Sequence, residues 1–185
     1  VDFYVNKEFV DRPNVYKSFT ENLPTVVSDD EGNLVRSSRN TNIELFKTDE
    51  HFIYEMGIPV VETDIGFSIN VDQKIPLNKD RDNVSPSYLK KLKTYVLNHT
   101  SSDLTEEQSK SAWVTEALED ADVDAVKDVV ESRYGEDAVV FDPTDHEANK
   151  KAFADDVNVI TGGSFNSKVW DNIKRTREEH TEFAR

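Results

Sequence analysis

The run Phe67-Ser68-Ile69-Asn70-Val71-Asp72, continuing through Gln73-Lys74-Ile75-Pro76-Leu77-Asn78-Lys79-Asp80-Arg81-Asp82-Asn83-Val84 to Ser85-Pro86, decides how this chain is read. Phe67, Ile69 and Val71 alternate with Ser68, Asn70 and Asp72, the period-2 pattern of a sheet strand with one buried face. The strand is expected to lie within Ile65 to Ile75. Ser85 is a good N-cap and Pro86 is preorganised for a first turn, so a helix opens there. Leu89, Leu92 and Val96 form its apolar stripe, with Lys90, Lys91 and Lys93 mostly turned outward. A polar, hydrogen-bonding loop thus joins a strand to a capped helix.

Upstream, the chain reads as β-rich. Asp29-Asp30-Glu31-Gly32-Asn33 is a turn cluster between Leu23-Pro24-Thr25-Val26-Val27 and a long run from Leu34 to Phe46, which predicts a hairpin. Val35, Ser37, Arg39, Thr41, Ile43 and Leu45 share one face of the second strand, buried toward its end. Phe52-Ile53-Tyr54-Glu55 and Ile58-Pro59-Val60-Val61 add further strand material.

Downstream, helix and strand alternate after a break near residues 99 to 105. Thr105-Glu106-Glu107-Gln108 is a capping-box pattern opening a helix with Trp113, Ala117 and Leu118. Val123 to Tyr134 is a second helix, with Val126, Val129 and Val130 inward and Gly135 as C-cap. Ala138 to Phe141 is a short apolar strand, and Thr144-Asp145-His146-Glu147 is a capping box before a helix carrying Ala148, Ala152 and Phe153. Val157 to Ile160 is a strand, Gly162-Gly163 a turn, and Ser167 to about Arg177 a last helix, with a polar, frayed tail from Glu178 to Arg185. Short strands separated by helices imply parallel pairing through right-handed crossovers. The expected class is α+β: a β-rich part over residues 1–100, then a small three-layer α/β/α part over 101–185.

The chain has 185 residues, with 22 Lys and Arg against 37 Asp and Glu, for a formal net charge of −15. That surface repels phosphate backbones and anionic lipid, which argues against nonspecific nucleic-acid or membrane binding while leaving room for one locally basic pocket. No cysteine is present, so disulfides, thiolate metal sites and thiol nucleophiles are excluded. No apolar run approaches a membrane span and no secretory signal opens the chain, which together with the missing cysteine fits a cytoplasmic location. The start at Val1-Asp2-Phe3, without Met and reading as mid-domain strand, points to an excised piece of a longer protein.

Chemistry concentrates in the loop after the strand. Lys74, Lys79 and Arg81 make it locally basic on a very acidic chain. A guanidinium there could grip a phosphate bidentately and neutralise charge in a phosphoryl-transfer transition state. On chemistry alone an alternative stands beside this one: a solvated loop whose Arg81 pairs with Asp80 or Asp82.

Ile75-Pro76-Leu77-Asn78, two residues, then Arg81, followed by a helix, resembles the middle domain of the Hsp90 chaperones, of the GHKL-type ATPases that include DNA gyrase B, histidine kinases and MutL. The close match covers about residues 70 to 97. Phe52 to Val60 and Asn70 to Asn78 also resemble phage rIIA-type proteins, large ATPases of the same superfamily. The resemblance implies a ribosomal-S5-like first part followed by an α/β/α part. It implies that Arg81 senses the ATP γ-phosphate, with Asn78 beside it in the loop. Gln73 and Lys74 are similar, at a different spacing, to the Gln and Lys of the gyrase transducer loop. ATP and Mg would be bound mainly by an upstream nucleotide-binding domain outside this chain. The partners implied are that domain, a protein of unassigned identity, and a homodimer formed through the parent protein. The alternative is a non-catalytic interaction module of the same fold without a nucleotide role.

Several motifs of such ATPases are absent: a Glu-x-x-x-Asn metal helix, an Asp-x-Gly-x-Gly adenine loop and a glycine-rich lid. Hydrolysis by this chain alone is therefore expected to be negligible. His51, His99, His146 and His180 have no metal-ligand spacing. Asp142 and Asp145, after a parallel-type strand, could hold Mg²⁺, but turn and cap chemistry explains them as well. The acidic run Glu119, Asp120, Asp122 and Asp124 lacks the EF-hand glycine and terminal Glu. Asn98-His99-Thr100 is a formal sequon without a secretory signal to use it. Trp113 and Trp170 read as core anchors on apolar helix faces.

Overall fold

The computed structural model describes residues 3–5, 8–10, 14–78, 83–141 and 143–183. Its first strands are β1 (Phe3–Val5) and β2 (Glu8–Val10), an antiparallel pair. The turn cluster at residues 29–33 then does what its chemistry predicts. The Asp29 carboxylate accepts the Asn33 N–H at 2.7 Å and the Glu31 N–H at 3.0 Å, and Gly32 takes a φ of +84°. A side chain of L configuration rarely adopts that backbone, so glycine closes the turn without strain. The hairpin arms are β3 (Lys17–Ser28) and β4 (Leu34–Phe46), paired over their whole length from Lys17↔Leu45 to Ser28↔Leu34.

The sheet is completed by β5 (Phe52–Glu55), β6 (Ile58–Glu62) and β7 (Ser68–Val71), in the order β3-β4-β7-β5-β6. β7 runs antiparallel to β4 and parallel to β5, so the five-stranded sheet is mixed. Its four residues are all buried, Ser68 and Asn70 included, so both faces of this strand are covered and not the single face that the alternation implies. Leu23, Ile43, Leu45, Ile53, Ile69 and Val71 are fully enclosed. The β4 pattern holds as expected: Thr41, Ile43 and Leu45 are buried, whereas Val35 near the turn is 41% exposed. The strand expected within Ile65 to Ile75 is shorter than the apolar alternation, because the chain leaves the sheet after Val71.

The chain divides into two compact units, Val1–Tyr88 and Leu89–Arg185. Helix α1 (Pro86–Thr100) crosses that boundary, and most of it belongs to the second unit, earlier than the break near 99 to 105. Three ion pairs tie it there. Lys90 reaches Glu119 and Asp120, each at 2.8 Å, and Lys93 reaches Glu116 at 2.7 Å. Lys93, expected to face outward, is therefore only 8% exposed. A lysine at that burial is tolerated because its ammonium is paired.

The rest of the second unit is α2 (Glu106–Ser109), α3 (Ala112–Ala117), α4 (Val123–Tyr134), β8 (Val139–Val140), α5 (His146–Ala154), β9 (Val159–Ile160) and α6 (Ser167–Phe183), with short 3-10 turns at Ser101–Asp103 and Gly162–Ser164. The capping box at Thr105 and Gln108 forms. The helix it opens does not run on to Leu118, however. The Ser109 carbonyl, which a continuous helix would offer to the Trp113 N–H, instead accepts from the Arg133 guanidinium, through Nε at 2.8 Å and through Nη2. Helix α3 restarts after Ser111 and carries Trp113, Val114 and Ala117 inward. Helix α4 has the expected bounds, with Asp122 as N-cap and Gly135 at φ +93° after its end.

β8 and β9 pair in parallel, as their connection through a helix predicts. The sheet they make has only two strands of two residues each, so the three-layer arrangement is reduced to a small ladder among helices. In α5 the N-cap is Asp145 and not Thr144, with Oδ1 accepting the Ala148 N–H at 2.9 Å. The apolar stripe expected there does not form: Phe153 is 62% exposed and Asn149 is buried. Helix α6 extends to Phe183, through most of the segment read as a frayed tail. Trp113 is a core residue, and Trp170 is half-buried with its indole N–H donating to the Gly162 carbonyl at 2.9 Å.

The Lys90 cluster makes acid stability predictable. The Lys90 ammonium, and after it the amide of Asn166, hold the Glu119 carboxyl below its usual range against the opposing effect of burial. A carboxyl lowered on folding contributes stability that is complete above its unfolded pKa, about 4.3, and disappears as pH falls through the lower folded value. Glu119→Gln should therefore be less stable than the parent chain at neutral pH, with the two unfolding curves converging in acid. Urea midpoints measured from pH 7 down to 3 would check this.

Candidate functional site

The carboxyl end of β7 is where the sequence concentrates its chemistry, and the structure anchors both sides of the loop that leaves it. Asp72 stays in register by donating its N–H to the Asn42 carbonyl at 3.1 Å. Its carboxylate accepts from the side-chain amides of Asn70 at 2.8 Å and Asn42 at 3.1 Å. The chain then crosses toward β3. The Gln73 side-chain amide donates to the carbonyls of Leu23 at 3.1 Å and Pro24 at 3.5 Å. The Thr25 hydroxyl donates to the Lys74 carbonyl at 2.7 Å. Glu55, the last residue of β5, accepts the Ile75 N–H at 2.7 Å.

Beyond this point the loop narrows. Leu77 and Val84 form an isolated antiparallel bridge, and the Asn78 N–H donates to the Asn83 carbonyl at 2.8 Å. The Asn83 side-chain oxygen accepts the N–H of Val84 at 2.8 Å. Ser85 then caps α1, its hydroxyl accepting the Tyr88 N–H at 3.3 Å. Ile75 and Val84, on either side of this narrow part, are buried at 2% exposure each. Residues 79–82 connect the hydrogen-bonded pair Asn78 and Asn83; Lys79, Asp80, Arg81 and Asp82 lie outside the described residues.

The sequence-predicted site residues thus divide. Lys74 is exposed and Asn78 is half-buried at the narrow end of the loop. Gln73 spends its amide on the backbone of β3, so its observed role is to hold the loop. Thr25 and Glu55 were not singled out in the sequence, yet they brace the same segment across 49 and 20 residues of chain. No local pattern announces such pairs. Asp142 is outside the described residues, and Asp145 serves as an N-cap. Among the described residues no group of three or more His, Asp or Glu side chains could hold a metal ion.

Tyr88, in the first turn of α1, is 1% exposed, and its hydroxyl has no hydrogen-bond partner among the described residues. Burial, and after it the nearby Glu55 carboxylate, push the phenol pKa up. A buried hydroxyl left unbonded carries a desolvation cost, so Tyr88→Phe is expected to be neutral or to stabilise the fold by up to about 1 kcal/mol. A fall in the urea midpoint on this substitution would count against an unbonded hydroxyl.

Comparison with family models, with curated proteins and with solved structures gives no match to this chain. The α+β class therefore rests on the mixed five-stranded sheet and its helices.

Proposed function

We propose that this chain is a transducer module of a GHKL-type ATPase, supplying Arg81 to the γ-phosphate of an ATP held by a separate nucleotide-binding domain. What supports the reading is the pinned corner between β7 and α1. Lys79 and Arg81 fall in the sequence between Asn78 and Asn83, and four contacts from β3, β5 and the Leu77–Val84 bridge hold the described residues that flank them. Electrostatic stabilisation of a transferring phosphoryl group favours a cation whose flanking segments are already fixed, as Gln73 to Asn78 and Asn83 to Ser85 are here.

In this reading ATP and Mg belong to the neighbouring domain, and this chain by itself hydrolyses nothing. Arg81 meets the γ-phosphate only when the domains dock. Hydrolysis removes that contact and lets their relative position change, which would carry the signal onward to a protein partner. The test is Arg81→Ala in a protein that joins this chain to its nucleotide-binding domain, reading ATP turnover and nucleotide affinity separately. Reduced turnover with retained affinity is the expected result; unchanged turnover would favour an interaction module without a nucleotide role.

A further inference from the structure

Between α4, β8 and α6, within the second unit, lies a groove of about 340 Å³ lined by Val126, Val130, Val140, Ile160, Trp170 and Ile173. It adjoins an incomplete sheet. β8 and β9 form a parallel ladder of two residue pairs, and among the described residues no strand pairs with β8 on the side away from β9. Parallel strands are ordinarily buried on both faces, and a two-stranded sheet is marginal by itself. Here Val139 is 40% and Phe141 36% exposed. Val139 and Phe141 donate their N–H groups to Asn158 and Ile160 of the β9 segment, so strand alternation turns the N–H and C=O of Val140 to the open side.

Edge strands are usually blunted by a charge, a proline or a bulge. The stretch Ala138-Val139-Val140-Phe141 contains no charge and no proline. The charges stand around it and are mostly of one sign. Glu131 and Glu136 line the groove, Glu136 and Asp137 precede the strand, and Asp145 and Glu147 follow it, the last four exposed. Lys127, the cation in the lining, already faces Glu131 at 3.7 Å.

We propose that β8 is a docking edge for an extended peptide segment of another protein, with alternate apolar side chains entering the groove and lysines or arginines facing the acidic rim. The peptide adds a third strand through the Val140 backbone. Backbone bonding supplies affinity without sequence preference, the groove selects apolar residues at every second position, and the rim selects their basic neighbours.

The probe is a blocked heptapeptide alternating lysine and valine, titrated into the 185-residue chain by calorimetry, with hydrogen exchange at the Val140 amide followed in parallel. Saturable one-to-one binding that slows this exchange is the expected result. Affinity should fall at least about tenfold in Val140→Pro, which removes the outward donor, and similarly in Glu136→Lys combined with Asp137→Lys, which reverses the rim. If Val140→Pro fails to fold, the surface charge variant decides alone. Absence of binding at millimolar peptide overturns the proposal, as does equal binding of a glutamate–valine heptapeptide or indifference to these variants. Sedimentation of the chain as a dimer that the rim variant abolishes would give the edge to a second copy, and would also overturn it.

Discussion

On the transducer reading proposed above, Arg81→Ala in a protein that joins this chain to a nucleotide-binding domain is expected to lower kcat for ATP by about 10³-fold or more, the range found when a phosphate-contacting arginine is lost. ATP affinity should move by less than about threefold, because an interaction made mainly as charge shifts onto the γ-phosphate oxygens stabilises the transition state more than the bound ground state. Arg81→Lys should restore only a small part of the loss. An ammonium is a point charge without the planar fork that engages two phosphate oxygens together. Lys74→Ala provides a contrast: Lys74 is exposed at the base of the loop, and its backbone carbonyl, not its ammonium, is what Thr25 bonds. Comparable losses at Lys74 and Arg81 would assign the effect to general basicity of the loop and remove the specific role of Arg81.

The second large effect is one of stability. Asn172 on α6 is 5% exposed, and its Nδ2 donates to the carbonyls of Leu118 at 2.7 Å and Ala121 at 2.9 Å. These are carbonyls at and beyond the end of α3, where a helix leaves its acceptors without internal partners. Asn172→Ala removes both donors from a buried place that water does not readily refill, and should cost about 2–4 kcal/mol. Asn172→Asp keeps the size of the side chain and an oxygen for the Arg175 guanidinium, which now reaches Oδ1 at 2.6 Å, but supplies no N–H. If the two carbonyl bonds are the stabilising element, both variants lose stability at neutral pH with an unchanged urea m-value. An Asn172→Asp protein as stable as the parent would transfer the credit to the Arg175 contact.

What was legible in the sequence was local. The Asp29 to Asn33 turn, the capping box at Thr105, the span of α4 up to Gly135 and the parallel pairing of β8 with β9 all follow from neighbouring residues or from connection length. What was not legible depended on groups far along the chain. Arg133 ends α2 by taking a carbonyl 24 residues before it, and Glu116 draws Lys93 inward across 23 residues. Phe153 reads as core on helical spacing but stands exposed near the end of α5, although Asn149, one turn earlier on the same side, is buried. The candidate site divides in the same way. Its loop stands out by composition and by resemblance, whereas the braces at Thr25 and Glu55 come from strands that only the folded sheet brings close.

The β3–β4 hairpin carries a consequence for engineering. β4 is bonded to β7 only from Ile43 to Phe46, while its pairing with β3 continues down to Leu34. The ladder rungs from Val26↔Arg36 to Ser28↔Leu34 lie beyond Thr25, the outermost residue of β3 that braces the β7 corner. A change confined to the Gly32 end therefore leaves Ile43, Leu45 and that corner in place. An epitope or a fluorophore-bearing loop grafted between Asp30 and Asn33 would ride on that ladder and report on the chain's neighbours while leaving the interior of the sheet unaltered.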